Sequence, residues 1–286
     1  MCGLAPVSRA GYYRYWLKAE PAAAEMKLRD AVQQVSLEYR FYGYRRVAAE
    51  LRIEGIEVSV KVVRRIMRDD ELLAVRRRRF VVTTGRDNRF RVFANIAKSL
   101  ILDMADQLWV ADLTYIRLRA EFVFLAVVLD AWSRRVIGWK LGRKLNTELA
   151  LAALDQAIEI RKPNPGLVHH SDAGSQYASR DYVKRLQAAG ATLSMSRPGR
   201  PWENGRCESF IKTLKKEQID ATSYATLEEL ERNIEEFIET FYNPKRLHSA
   251  LNYCSPERFE HANASDRPWR PAALEFQARQ PEGEAQ

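Results

Sequence analysis

From residue 109 the apolar residues stop recurring at helical intervals and fall into three successive strand-like runs. These are Trp109–Leu118, Phe122–Leu129 and Arg135–Leu141, rich in Val, Ile and aromatic side chains. Ala131-Trp132-Ser133-Arg134 reads as the turn between the second and third. The periodicity then predicts a helix over Asn146–Ile160, stopped by Pro163-Asn164-Pro165-Gly166, a strand over Leu167–Ser171, a helix over Arg180–Ala189 and a strand over Thr192–Ser196. Three strands followed by alternating helices and strands are the pattern of a mixed α/β domain, a five-stranded sheet flanked by helices. Arg197-Pro198-Gly199-Arg200-Pro201-Trp202 breaks regular structure with two prolines and a glycine. Beyond it, Asn204 is a candidate cap for a helix running to about Gln218, and a last helix is expected over Leu227–Tyr242, ended by Asn243-Pro244.

Three acids stand out against this frame. Asp112 lies in the middle of the first strand-like run, and Asp172 follows the short apolar run that includes Leu167 and Val168. Glu208 lies in the helix after the proline-rich loop, with 35 residues between it and Asp172. A carboxylate in such a setting is costly to bury unless it is paired or holds a cation. Three acids on two strands and a helix are the parts of a divalent-metal site. Two divalent ions about 4 Å apart activate an attacking oxygen, stabilise a leaving oxygen and neutralise a phosphodiester between them. Magnesium takes carboxylate oxygens and keeps several waters, so few protein ligands suffice.

On a helix, Glu208 shares its face with Lys212 and Lys215, four and seven residues on. The acid would meet cations while both lysines reach phosphates. The plainer alternative is an exposed Glu208–Lys212 pair, worth about 0.3–0.5 kcal/mol. Cys207, Phe210, Ile211 and Leu214 are the expected buried side.

Charge is unevenly spread. Residues 1–100 hold 21 Lys and Arg against 11 Asp and Glu, a net of +10, while the remainder holds 25 against 26, a net of −1; together they give the +9 of the whole chain. A basic first third suits a polyanion, and nucleic acid leads, with a solvated basic surface as the alternative. Within it, a helical pattern over Ala22–Tyr39 is followed by a helix–turn–helix layout at about residues 44–73. Arg45–Leu51 precedes a turn at Glu54-Gly55, and Ser59 caps a second helix with Val62, Val63, Ile66 and Met67 inside. Lys61, Arg64, Arg65 and Arg68 remain outside, and Arg76-Arg77-Arg78-Arg79 follows as a phosphate-contacting linker or a solvated charge run. The expected organisation is a basic DNA-binding region over residues 1–95, a catalytic core with its C-terminal helices over 101–262, and a flexible polar tail over 263–286. No apolar run reaches the ~20 residues of a membrane span. Met1–Pro6 lacks the parts of a secretory signal, and Cys2, Cys207 and Cys254 suggest neither a disulfide framework nor a zinc cluster. A reducing, cytoplasmic compartment is expected.

Secondary candidates carry two readings each. His169 and His170 either act in function, tuning the site or binding phosphate, or serve the core, and the second reading is favoured. His248, beside Arg246, either reaches the site or DNA or caps the preceding turn. Trp202 either stacks on an unpaired base or anchors its loop, and Arg200 stands beside it as a DNA-contact candidate. Ser171 and Ser175 lack the partners of a serine nucleophile.

Several longer stretches resemble bacterial insertion-sequence transposases, specifically the product of the second of two overlapping frames, within the DDE retroviral-integrase superfamily. The resemblance rests on Trp109-Val110-Ala111-Asp112-Leu113-Thr114-Tyr115, on His170-Ser171-Asp172-Ala173-Gly174-Ser175-Gln176-Tyr177, on Glu208-Ser209-Phe210-Ile211-Lys212-Thr213-Leu214-Lys215 and on Tyr242-Asn243-Pro244-Lys245-Arg246-Leu247-His248-Ser249-Ala250-Leu251. Tyr42-Gly43-Tyr44-Arg45-Arg46 resembles the DNA-binding segment ahead of that core, and the resemblance spans about residues 1–262. One departure is Pro201-Trp202-Glu203-Asn204, where that group often has Asp beside the Asn. The resemblance implies an RNase H-like fold with Asp112, Asp172 and Glu208 as catalytic metal ligands. It also implies two Mg²⁺ or Mn²⁺ ions per site, and 3′-end cleavage followed by strand transfer without a covalent protein intermediate. The implied partners are double-stranded DNA (terminal inverted repeats and target), other copies of the chain on that DNA, and an upstream-frame helix-turn-helix protein, fused or paired. The implied place is the bacterial nucleoid. The competing readings are an RNase H-like nuclease without strand transfer and a silent DNA-binding regulator.

Overall fold

The computed structural model of the chain describes residues 23–72, 93–119, 121–197, 200–220, 222–264 and 268–274. The chain forms two compact units, residues 1–78 and 79–286.

The first unit contains three helices, α1 (Ala23–Glu38), α2 (Tyr44–Ile53) and α3 (Val60–Asp69). Val32 and Val35 of α1, Val47 and Leu51 of α2, and Val63 and Ile66 of α3 are buried together as their core. Helix α2 ends because Gly55 takes a φ of +83°, the left-handed conformation a glycine adopts without a Cβ penalty. The Ile56 amide then reaches back to Leu51 O at 2.8 Å and the Gly55 amide to Arg52 O at 3.1 Å, the paired bonds of a Schellman stop. As expected, Ser59 caps α3, its Oγ accepting from the Val62 amide at 3.3 Å. Arg29 of α1 pairs with Asp70 just past α3, and Arg65 of α3 pairs with Glu25 of α1 at 3.2 Å.

The second unit is built on a five-stranded sheet. Its strands β2 (Leu108–Arg117), β3 (Phe122–Asp130), β4 (Val136–Gly142), β5 (Val168–Ser171) and β6 (Thr192–Met195) lie in the order β4-β3-β2-β5-β6. A short β1 (Leu100–Ile101) precedes them. Strands β2, β3 and β4 form an antiparallel meander, whereas β5 joins β2, and β6 joins β5, in parallel. The parallel pairs need crossovers, supplied by α4 (Thr147–Arg161) and α5 (Arg180–Ala188). Asn146 caps α4 by accepting from the Leu149 amide at 3.1 Å.

Strand pleating sorts the core into two layers. Trp109 and Ala111 face Leu149, Ala153, Leu154, Tyr177 and Tyr182 on one side. Leu108 and Val110 face the other side, where Cys207, Phe210 and Leu214 of α6 (Gly205–Leu214) pack with Leu230 and Ile234 of α7 (Leu227–Glu236). Asp112, two residues on from Val110, therefore leaves β2 on the α6 face.

The two helices after the proline-rich loop reach their expected ends, each closing in a π-helical turn, Lys215–Ile219 after α6 and Phe237–Tyr242 after α7. A helix α8 (Pro256–Ala262), capped by Ser255, follows them, too short for its periodicity to declare itself. Part of the segment expected to be a flexible tail is fastened to the core, since β7 (Ala273–Leu274) pairs antiparallel with β1, and Gln107 Nε2 donates to Arg270 O at 3.0 Å.

Candidate active site

The two aspartates come together through strand register. The last paired rung between β2 and β5 is Val110 with His170, and each aspartate lies two residues further along its own chain. Paired residues of neighbouring strands point to one face, and the strands lie about 4.8 Å apart, so Asp112 and Asp172 emerge side by side. Asp172, the first residue past β5, closes a tight turn in which its Oδ1 accepts from the Gly174 amide at 3.1 Å. A Cβ at Gly174 would stand 2.9 Å from that same Oδ1, so a side chain there would push the carboxylate aside. Cys207 and Tyr177 are fully buried nearby, one in each layer of the core; burial pushes the Cys207 thiol and the Tyr177 phenol well up, and the charges of Asp112 and Asp172 add to the rise in both.

The third acid arrives on α6. Asn204, expected as an ordinary cap, makes no side-chain bond to its own helix. Its Nδ2 instead donates to Ala111 O at 2.9 Å, which pins the start of α6 to the residue before Asp112. Glu208 is one turn further on, and its carboxylate accepts from Lys212 Nζ at 2.7 Å. The register thus unites Asp112 and Asp172, while Glu208 is turned along its helix. Among the described residues no three of His, Cys, Asp and Glu stand close enough to enclose a metal ion. The hard oxygen donors of the aspartate pair are nonetheless the type that Mg²⁺ and Mn²⁺ take.

The two lysines separate in role. Lys215 turns inward, its Nζ donating to Thr114 Oγ1 at 2.8 Å and lying 4.9 Å from the Tyr115 ring centre. Burial lowers its pKa, against the opposing pull of Asp220 and Asp112. Lys212 is 71% exposed.

The remaining candidates divide by burial. His170 is a core residue: Nδ1 and Nε2 each lie 2.9 Å from a serine hydroxyl, of Ser194 and Ser196. Ser194 Oγ already accepts from the Ile96 and Ala97 amides, so its own proton goes to Nδ1 and the His170 proton sits on Nε2. Burial lowers its pKa to about 4, which keeps it neutral. His169 is likewise buried, 3.0 Å from the Tyr182 hydroxyl. Arg246 and His248 are buried too. Arg246 forms a double salt bridge with Glu217 at 2.7 Å for each bond and lies 3.4 Å from His248 Nε2. The turn of the chain at residues 243–248 explains this burial: it brings the pair under the π-helical end of α6, which sequence spacing does not reveal.

Trp202 is 66% exposed, so it is no anchor for its loop. The anchor is Glu203, which sequence reasoning saw only as a departure from pattern. It accepts from Asn95 Nδ2 at 2.7 Å, the Arg197 amide at 2.9 Å and Arg197 Nε at 2.9 Å, with Arg200 at 3.8 Å. Hydrogen bonds from the Arg197 side chain, before those from its amide and from Asn95, hold the carboxyl at about 2. On α3, Arg64, Arg65 and Arg68 are exposed as expected. Arg64 and Arg45 lie 5.5 and 5.1 Å from the Tyr44 ring centre, whereas Arg65 is engaged by Glu25. Arg76, Arg77, Arg78 and Arg79 lie outside the described residues.

Two neighbouring parallel strands, one carrying an aspartate midway and the other followed directly by one, with an antiparallel meander beside them and an acid-bearing helix across their face, define the integrase-core class of polynucleotidyl transferases. Family models concur: residues 103–201 and 189–256 each match an integrase core domain, and residues 23–80 an HTH-like domain. The simian T-cell lymphotropic virus intasome, in complex with a PP2A regulatory subunit, contains a chain of the same fold, with a TM-score of 0.50 and 14% identity over 87% of this chain and 80% of that one. The chain belongs to the insertion-sequence transposases of this superfamily. It is 34% identical to an insertion element IS600 31 kDa protein of Shigella sonnei, over 91% of this chain and 97% of that protein. It is 36% identical to the IS904 transposase of Lactococcus lactis, over 78% and 88%, and 32% identical to transposase InsF of IS3A from Escherichia coli, over 92% and 93%. No helix among the described residues is long and apolar enough to cross a membrane.

Proposed function

We propose that this chain is a DDE transposase in which Asp112, Asp172 and Glu208 hold two divalent cations, Mg²⁺ or Mn²⁺. The activity is 3′-end cleavage of an insertion sequence and joining of those ends to target DNA. The observation that carries the reading is the register that sets Asp112 and Asp172 side by side, two residues past Val110 and His170. Bound cations would supply an activated oxygen nucleophile and a stabilised leaving oxygen.

The chain's own residues supply the rest. Asn204 holds the Glu208 helix against the Asp112 strand. Glu208 and Lys212 are both solvent-exposed, and such a pair is worth about 0.3–0.5 kcal/mol, so little opposes turning Glu208 toward cations held by the aspartates. That frees Lys212 for phosphate, while Lys215, fixed on Thr114, presents a second positive charge beside Asp112. Trp202 and Arg200 offer a stacking ring and a cation to a frayed end. The helix-turn-helix unit, with Arg64 and Arg68 outermost, would grip the terminal inverted repeats, and further copies of the chain, with or without an upstream-frame protein, would bridge the two ends. The bacterial nucleoid is the proposed place of action.

The test supplies Mg²⁺, a pre-cut terminal repeat and target DNA, with and without the upstream-frame protein. Joined product is expected. Cleavage without joining under both conditions would favour an RNase H-like nuclease, and binding without chemistry in Mg²⁺ or Mn²⁺ would favour a DNA-binding regulator.

A further inference from the structure

Tyr177 is 1% exposed, yet its hydroxyl has no hydrogen-bond partner. An unpaired buried hydroxyl is costly, and such groups in native proteins call for an explanation. The ring is fixed edge-on against Tyr182 at 5.3 Å, and its Cδ2 would lie 3.5 Å from a Cβ on Gly174, inside the turn that Asp172 closes. Tyr182, its neighbour, contrasts in having a satisfied hydroxyl, 3.0 Å from His169 Nε2.

We propose that Tyr177 is a positioning residue for the Asp172 carboxylate, its hydroxyl held in reserve as the hydrogen-bond donor to Asp172 once that carboxylate turns to face a divalent cation. This rests on the metal-binding reading of the two aspartates. The donor set fits that use: an O–H donated to a carboxylate oxygen fixes its direction and favours the ionised form, which is the form that binds metal. The unpaired hydroxyl is then a stability cost of the metal-free state, accepted for the sake of cation binding.

The full chain is titrated with Mn²⁺ by calorimetry at several pH values, and its melting temperature is followed without and with metal. Wild type is expected to bind, and Asp172→Asn to lose binding. Tyr177→Phe is expected to melt at or above the wild-type temperature without metal, to bind Mn²⁺ about 3–10-fold more weakly, and to need a higher pH for half-maximal binding. Tyr182→Phe, which breaks a satisfied bond, is expected to melt lower and to bind Mn²⁺ as wild type. Unchanged Mn²⁺ affinity and pH midpoint in Tyr177→Phe would overturn this inference and leave the metal site standing. A lower metal-free melting temperature in Tyr177→Phe would overturn it as well, because the hydroxyl would then serve the apo fold. Absence of Asp172-dependent binding in wild type would bring down both readings.

Discussion

Asn204 Nδ2 donates to the carbonyl of Ala111 at 2.9 Å, joining the residue before the Glu208 helix to the residue before Asp112. The bond is buried, and it bears on the geometry between two acids that lie far apart in sequence. Asn204→Ala leaves the Ala111 carbonyl unpaired, at about 1–3 kcal/mol. It also loosens α6, and misplacement of catalytic groups on this scale costs up to about 10²-fold in rate. Asn204→Asp, which cannot donate, should match it in a strand-transfer assay. Wild-type joining by Asn204→Asp would show that the bond does not set the site.

Arg246 and Glu217 form a buried, doubly bonded pair. Removing one partner strands the other, at about 3–5 kcal/mol. Chemical denaturation of Arg246→Ala should show a loss of that size, with DNA affinity per folded molecule unchanged. A stable variant with weakened DNA binding would instead place Arg246 on the DNA.

Acid should release the Glu203 loop. Its carboxyl titrates at about 2 in the folded chain against 4.5 ordinarily, so its contribution is complete above 4.5 and is lost as pH falls toward 2. The melting-temperature gap between wild type and Glu203→Gln should therefore narrow over that interval. Asp130 has the opposite sign: burial, then the charge of Asp106, raises its carboxyl from 3.8 to about 6. The folded state keeps a proton that the unfolded chain releases, so the stability of wild type relative to Asp130→Asn should fall as pH rises from 3.8 to 6.

Arg64 and Arg65 are sequence neighbours with different engagements. Arg64 lies against the Tyr44 ring, a contact that leaves its donors for phosphate or bases, whereas Arg65 is paired with Glu25. Fluorescence anisotropy on terminal-repeat DNA should show Arg64→Ala weakening binding about tenfold and lowering the salt slope by about one, with a smaller effect from Arg65→Ala. Equal losses would remove the distinction.

The strands were legible because alternation and β-branched content mark them in any context, and Ser59 announced its helix by its hydroxyl. Sequence offset alone does not set Asp112 beside Asp172, since the parallel pairing of β2 with β5 depends on a crossover through α4. His170, Arg246 and His248 were ambiguous for a related reason. A polar side chain reads the same whether water or a distant serine, glutamate or arginine satisfies it, and Ser194, Ser196 and Glu217 are distant in the chain. Fastening of residues 268–274 was invisible because β1 and β7 are two residues each, too short to show a period.

The central claim, that Asp112 and Asp172 are one cation-binding pair, is tested most directly by strand transfer in Mg²⁺ with each aspartate changed to asparagine in turn, alongside a gel-shift assay on terminal-repeat DNA. Loss of a group that acts as part of a catalytic unit typically removes about 10³-fold or more of the rate. The expected result is that either variant loses joining on that scale while binding the repeat as wild type does. Joined product at the wild-type rate from Asp172→Asn or Asp112→Asn would contradict the account.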